Sequence, residues 1–498
     1  MIYQGDAYRS FENWIDNLEP IVAKNFSYHK YFESDKLFLR IIQVIIEKVS
    51  KEYLENFIKP NKLPKSKYGP LIISEEVLKI SLKKRILYNG FFLLESLYLL
   101  ITFFWRISKK SNQNSRKYKV LVEPPIVGSI KSFKKFLEEN RIEGLENSDE
   151  LIIKKSNPPR NTIINIKFFK NPWIEIINFN HGFLPKVKLI FDFILYTFSS
   201  IIYLNKSNLN ILLYRDLPNS FFVNFLNKRK EIKDIFVTNS FLRQQPLWLN
   251  GLKSRSFKTH MIWYSQNIIP KFYKGESYQS IFPGVNMIRI DNHWVWTKNF
   301  GEYISNLNRD SNFSFVGPIL FYNPEYKMKS FEKKTISIFD VIPVKDYGYT
   351  GSVKNYYTVE TISNFVGNIL LVVKKIREEY SIDIEVVLKS KRRMNSRYHD
   401  LRYFDNLDKY LEKFGFFKVI EDTTNLYDLI KNSMMIFSVP FTSTAEVGKK
   451  LEIPSFYYDS SAKIRPNKKI YEIPFLESKN EISKEIVKIL NINKNDRI

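Results

Sequence analysis

The sequence changes character near residue 118. Beyond it, short apolar runs of strand length alternate with longer stretches whose apolar residues recur every three or four positions. Strands are predicted over 118–122, 162–169, 210–214, 234–237, 260–264, 293–296 and 313–316, with helices over 129–140, 186–204 and 219–228. Gly317-Pro318 to Asn323-Pro324 reads as a turn, and a charged linker over 325–334 follows. The alternation then restarts, with strands at 335–341, 382–388, 417–420, 434–439 and 455–458 and helices at 359–379, 401–414, 425–431, 443–451 and 479–490. The helix over 359–379 is the clearest, because Ile362, Phe365, Val366, Ile369 and Val373 share one face. Two such blocks predict two parallel sheets, each covered by helices on both faces.

Before residue 118 the pattern is helical. Apolar residues recur at helical spacing over 37–57, Pro60, Pro64 and Pro70 mark a loop, and Ser74-Glu75-Glu76-Val77 reads as a helix start. The polar stretch 108–117 closes this region. The most apolar run, 91–105, lies between Lys83-Lys84-Arg85 and the basic residues Arg106, Lys109 and Lys110. It is shorter than the roughly 20 residues a spanning helix needs, and Glu95 falls inside it. It reads as a helix buried between domains, or as an interfacial helix with cationic flanks. A second run, 187–204, contains Asp192 and reads as a buried helix.

The expected fold is therefore α/β: a helical N-terminal region over 1–112 and two Rossmann-like domains over 118–324 and 334–498. Two such domains facing each other place a cleft at the carboxyl ends of their strands. The 498 residues are too many for one core and agree with this division.

Composition narrows the chemistry. Cysteine is absent, which excludes disulfides, thiolate metal sites and a Cys nucleophile. The five histidines show no H-x-x-x-H pair. No D-x-D, G-x-G-x-x-G or P-loop pattern occurs, so no metal and no dinucleotide cofactor is expected. The net charge of +25 is spread along the chain without nucleic-acid-binding signatures. It suits peripheral contact with an anionic membrane better than nucleic acid. The N-terminus carries no signal-peptide pattern, so the expected location is cytoplasmic, at most peripheral at the inner face of the cytoplasmic membrane.

The most informative segment is Ser438-Val439-Pro440-Phe441-Thr442-Ser443-Thr444-Ala445-Glu446. An apolar strand ends, Pro440 stops it, and a helix opens within three residues, so unpaired N–H groups and the positive end of the helix dipole meet a run of hydroxyls. That is a ready phosphate seat. Ser443 and Glu446 also match the S-x-x-E capping box, which stabilises a helix start without any ligand.

Pro440-Phe441-Thr442-Ser443 resembles the signature of the surface polysaccharide biosynthesis proteins named for a PFTS motif. The continuation Gly448-Lys449-Lys450-Leu451-Glu452-Ile453-Pro454-Ser455 and Tyr457-Tyr458-Asp459 resembles that family's helix, strand and acidic end. The resemblance extends over roughly 118–490. It implies a metal-independent glycosyltransferase of GT-B architecture, moving a sugar from a nucleotide-activated donor onto a glycan or lipid-linked glycan precursor of the cell surface, such as a capsule. The domain over 118–324 would then take the acceptor and that over 334–498 the nucleotide sugar.

In that reading Ser438, Pro440, Phe441, Thr442, Ser443 and Thr444 form the seat, and Glu446 reaches the ribose hydroxyls. Lys389, Lys391, Arg392 and Arg393, which follow the strand over 382–388, would neutralise the leaving phosphate. An inverting reaction needs a base. Candidates are Asp216, after the strand predicted at 210–214; Asp340, at the end of the strand at 335–341; and His181, in the turn Asn180-His181-Gly182. His293 opens the strand at 293–296 and suits core packing as well as chemistry. A nucleotide-sugar epimerase or hydrolase of the same fold and a non-catalytic glycan-assembly protein remain the alternatives.

Overall fold

The computed structural model describes residues 27, 29, 31–45, 80–108, 118–122, 151–154, 167–169, 171–177, 183–239, 245–266, 274, 288–307, 310–318, 330–343, 356–390, 399–422, 424–465 and 472–491. The chain is α/β, built on two all-parallel sheets. The first contains β1 (Tyr118–Val122), β2 (Leu151–Lys154), β3 (Lys167–Phe169), β4 (Ile232–Thr238), β5 (Lys258–Ile262), β6 (Asn292–Val295) and β7 (Asn312–Phe315), in the order β3-β2-β1-β4-β5-β6-β7. The second contains β8 (Lys334–Phe339), β9 (Ile384–Lys389), β10 (Phe417–Ile420), β11 (Met435–Ser438), β12 (Ser455–Tyr458) and β13 (Phe475–Leu476), in the order β10-β9-β8-β11-β12-β13. Both are doubly wound Rossmann-like orders.

The helices are α1 (34–45), α2 (Leu82–Ser108), α3 (Pro172–Glu175), α4 (Phe183–Asn205), α5 (Leu217–Lys228), α6 (Leu247–Asn250), α7 (Lys298–Leu307), α8 (Val359–Tyr380), α9 (Leu401–Lys413), α10 (Leu426–Lys431), α11 (Thr444–Lys450) and α12 (Lys479–Ile489). In the second sheet every residue of β11 and β12 is buried, as central parallel strands require. Helix α8 covers this sheet with the predicted stripe of Ile362, Phe365, Val366, Ile369 and Val373, all buried. Its start is fixed by Thr358, whose side chain accepts the Thr361 N–H at 3.1 Å, and its end by Ser381 in the left-handed region at φ 48°.

Two expectations fail in the first block. Residues 210–213 form a buried 3₁₀ turn, not a strand. Periodicity cannot separate a four-residue apolar run in a turn from one in a strand. Here the Ser207 hydroxyl decides, accepting the amides of Leu209 and Asn210 at 3.2 and 3.1 Å and coiling the chain. The run at 187–204 is helical, as α4, but one side of it is exposed at Phe191, Leu195, Phe198 and Ile202. The run at 91–105 is part of the 27-residue α2. The helix predicted at 129–140 and the helix start at Ser74 lie outside the described residues.

Candidate functional site

In the second sheet β8 lies beside β11, yet the chain leaves β8 toward β9 and leaves β11 toward β12. That divergence is the switch point at which ligands of doubly wound sheets bind, outside the strands' carboxyl ends. The turn after β11 sits there. Its Val439 N–H donates to the Phe339 carbonyl, the last residue of β8, at 3.0 Å.

The turn is fixed from several directions. Phe441 has φ 68°, a left-handed conformation that strains a bulky non-glycine residue by about 1–3 kcal/mol. It is held there by burial against Tyr457 and Phe475, with ring centroids 6.4 and 6.0 Å away. The Tyr357 hydroxyl donates to the Pro440 carbonyl at 3.2 Å and the Tyr457 hydroxyl to the Thr442 carbonyl at 2.9 Å. Three hydroxyls line up beneath the helix start. Thr442 Oγ1 donates to the Val439 carbonyl at 2.8 Å and lies 3.1 Å from Thr444 Oγ1, which lies 2.7 Å from Ser438 Oγ. Ser438 and Thr442 therefore shape the turn from beneath. The first α11 bond runs from the Val447 N–H to the Ser443 carbonyl at 3.2 Å. The amides of Thr444, Ala445 and Glu446 thus have no acceptor within the helix.

The capping box expected at Ser443 and Glu446 does not form. Ser443 takes helical angles, φ −70° and ψ −12°, and its side chain makes no cap bond. A capping residue needs extended angles to turn its oxygen onto the N3 amide, and the left-handed Phe441 delivers the chain in a different direction. Ser443 and Glu446 are both half-buried. Burial, reinforced by the Glu472 carboxylate and offset by Lys449, pushes the Glu446 carboxyl up to about 7. Lys449 itself pairs with Glu472. A raised carboxyl stabilises the fold fully below its unfolded value near 4.5 and loses that contribution as pH rises through about 7. Glu446→Gln is expected to flatten the stability profile between those two values, read as urea midpoints across pH.

A family model described as "Polysaccharide biosynthesis PFTS motif protein" matches residues 191–485, more than half of the chain. The protein belongs to this family. No curated protein matches the chain. Among solved structures, the chain is similar to a putative UDP-N-acetylglucosamine 2-epimerase from Listeria monocytogenes, at 13% identity and a TM-score of 0.39, covering 76% of this chain and 89% of that one. It is similar to the UDP-GlcNAc 2-epimerase of Methanocaldococcus jannaschii at 11% identity and a TM-score of 0.39, covering 77% and 94%. A TarM variant from S. aureus, in complex with fondaparinux, alpha-GlcNAc-glycerol and UDP, is similar at 14% identity and a TM-score of 0.33, covering 56% and 53%. At these scores the likeness is one of outline only.

The other candidate residues of this PFTS-motif protein are distributed unevenly. Asp340 directly follows β8 beside the turn but is 1% exposed, and its Oδ2 accepts the Tyr403 hydroxyl at 2.6 Å and the Ser390 hydroxyl at 3.2 Å. Those bonds make it a brace for the strand ends. Lys389 ends β9. Burial lowers its ammonium pKa, and Nζ donates to the Asp422 carbonyl at 2.9 Å. Asp216 follows the 3₁₀ turn rather than a strand, and it neither caps α5 nor opens onto a strand end. It forms a buried bidentate pair with Arg40 of α1, at 2.6 and 3.1 Å, and accepts the Leu247 N–H at 3.0 Å. Its carboxylate is thus committed to holding α1, α5 and α6 together. His293 is buried, accepts the Trp263 indole N–H at Nδ1 at 3.0 Å, and is pushed down to about 3 by burial, so it stays neutral. His181, Lys391, Arg392 and Arg393 lie outside the described residues.

One residue at the same end of the sheet was not singled out by its own chemistry. Asp459, at the exit of β12, is fully buried and accepts from the Tyr356 hydroxyl, the Ser461 amide and hydroxyl, and the Ile464 amide. Beyond its place in the acidic end of the motif's continuation, its sequence signal is a carboxylate directly after an apolar strand, Phe456-Tyr457-Tyr458.

Proposed function

We propose that this protein is a glycosyltransferase that takes a nucleotide-activated sugar at the turn after β11 and passes the sugar to a glycan or lipid-linked glycan precursor on the cytoplasmic side of the membrane. The observation that carries the reading is the helix start itself. Its amides at 444–446 have no acceptor within the helix, its expected cap is unmade, and it lies at the switch point of a Rossmann-like sheet in a member of a polysaccharide biosynthesis family.

The donor's diphosphate would meet the amides of Thr444 to Glu446 and the Ser443 hydroxyl, and Glu446 would take the ribose hydroxyls. Phe441 and Thr442 hold the turn in the conformation that presents these groups. Lys389, with Lys391 and Arg392, would offset charge on the departing nucleotide phosphate. Of the candidate bases, Asp216 is bound to Arg40 and Asp340 to Tyr403 and Ser390, which leaves His181 as the residue to test.

Calorimetric titration with UDP, GDP and CMP tests the seat, and turnover of the matching sugar nucleotides tests the reaction. Ser443→Ala is expected to weaken nucleotide binding about tenfold, the worth of one hydrogen bond to a charged group, with little change in stability, because the hydroxyl makes no cap bond. Absence of binding by all three nucleotides would sink the proposal. Product analysis without acceptor separates the remaining reading: an epimerised sugar nucleotide or free sugar points to an epimerase or hydrolase.

A further inference from the structure

Seventeen of the twenty-two exposed large hydrophobic side chains among the described residues lie on two helices, α2 and α4. The two run antiparallel. Asn89 near the start of α2 bonds Asn205 at the end of α4, at 3.1 Å, and Arg85 Nη2 donates to Asn208 Oδ1 at 2.5 Å. Each helix has an inner face in the protein. On α2 this is Phe92, Ser96, Leu99 and Phe103; on α4 it is Leu189, Phe193 and Tyr196, with Phe193 against Phe221 and Phe222 of α5. Each also has an apolar outer stripe, such as Phe91, Leu94, Ile101 and Trp105 on α2 and Phe191, Leu195, Phe198 and Ile202 on α4. Leu94, Phe198 and Ile202 are 64%, 63% and 64% exposed. Side by side, these stripes make a continuous apolar surface larger than a soluble monomer ordinarily leaves in water.

The charges on the rim suit one occupant. The two helices carry six basic residues and two acidic ones. Because they are antiparallel, both ends of the face are cationic: Lys83, Lys84 and Lys206 at one, Lys186 and Lys188 at the other. A second copy of the chain laid on this face would set lysines against lysines in either orientation. An anionic lipid surface meets the apolar stripe with acyl chains and the lysines with headgroup phosphates. By length, 25 and 22 residues, both helices could cross a bilayer. Their inner faces and ties prevent it: Glu95 accepts from Asn219 Nδ2 at 2.9 Å, the Tyr196 hydroxyl donates to the Leu217 carbonyl at 2.9 Å, and Arg106 pairs with Glu175 at 3.2 Å. Crossing would drag the α/β domain into hydrocarbon. We infer that α2 and α4 together form a monotopic membrane-docking face that lies flat in the headgroup–acyl boundary of an anionic bilayer. This holds whatever reaction the protein carries out.

The test is flotation of the full chain with phosphatidylcholine vesicles made with and without phosphatidylglycerol. The protein is expected to float with the anionic vesicles. Leu94→Glu with Phe198→Glu is expected to reduce that binding on the order of tenfold or more, through lost apolar burial and added like charge, with unchanged circular dichroism. Lys83→Gln with Lys84→Gln is expected to weaken binding to phosphatidylglycerol vesicles several-fold at an unchanged thermal midpoint. The inference is overturned if the wild type floats with neither vesicle or if the glutamate variant floats as the wild type does. It is equally overturned if the wild type sediments as a dimer that the glutamates convert to a monomer, which would make the face a contact between copies.

Discussion

Arg40→Met is expected to destabilise the protein by about 3–5 kcal/mol, the usual cost of stranding one partner of a buried ion pair. Arg40 and Asp216 are 8% and 4% exposed and joined at 2.6 Å, so the Asp216 carboxylate would be left charged, buried and without its main counter-charge. The second substitution, Asp216→Leu in the Arg40→Met background, is expected to recover much of the loss, because two well-packed apolar side chains replace the pair without a stranded charge. Recovery stops short of complete, since the Leu247 amide loses the acceptor it has at 3.0 Å. Urea midpoints of the two single variants and the double variant give the coupling. The same series separates the structural role from the catalytic one first suggested for Asp216. A structural carboxylate gives stability losses that the double variant repairs, with turnover following the folded fraction. A base would give a double variant that is folded and inactive.

Asp216 shows where sequence reading stops. Its assignment to a strand end rested on 210–214, an apolar run whose conformation is set by one hydroxyl, Ser207, three residues upstream. Its partner Arg40 is 176 residues distant, and no local pattern signals such a pair. The second sheet was far more legible. Its central strands β8, β11 and β12 are buried on both faces, so they read as largely apolar runs, and α8 carries both its period and its Thr358 cap. The two-residue β13 is too short to leave a pattern. At the site, the strand stop and the hydroxyl run were visible. Whether Ser443 caps its helix was not, because that depends on a backbone angle. Phe441 at φ 68° is a conformation no aromatic residue advertises, and it is imposed by contacts with Tyr457 and Phe475 from later in the chain. The outward face of α4 failed for a related reason: an apolar helix shows its composition in the sequence, but not which side its neighbours leave uncovered.

Asp459→Ala is expected to cost about 3–5 kcal/mol, because it leaves several buried donors without an acceptor at once, each worth about 1–3 kcal/mol. Asp459 Oδ1 receives the Tyr356 hydroxyl at 2.6 Å, the Ser461 amide at 3.1 Å and the Ser461 hydroxyl at 2.7 Å, while Oδ2 receives the Ile464 amide at 2.7 Å. Asp459→Asn is the sharper test. A side-chain amide has one acceptor oxygen, and here donors face both positions. Tyr356 can rotate its hydroxyl to accept, but the amides of Ser461 and Ile464 cannot, so either orientation of the introduced carboxamide sets an NH₂ group against a backbone N–H. The asparagine variant should therefore lose about 1–3 kcal/mol despite its matching shape, and Tyr356→Phe should lose less, since the carboxylate keeps its other donors. Hydrogen exchange locates the effect, with protection expected to fall first at the amides of Ser461 and Ile464. Because the Ser460 hydroxyl ties the same loop to the Thr361 carbonyl in the first turn of α8 at 2.7 Å, loosening should spread to the start of α8. Tyr357, next to Tyr356, braces the Pro440 carbonyl, so the same variant should also weaken nucleotide binding at the turn after β11. A loss of stability confined to the loop, with full nucleotide affinity, would show that Asp459 supports the fold without positioning the seat.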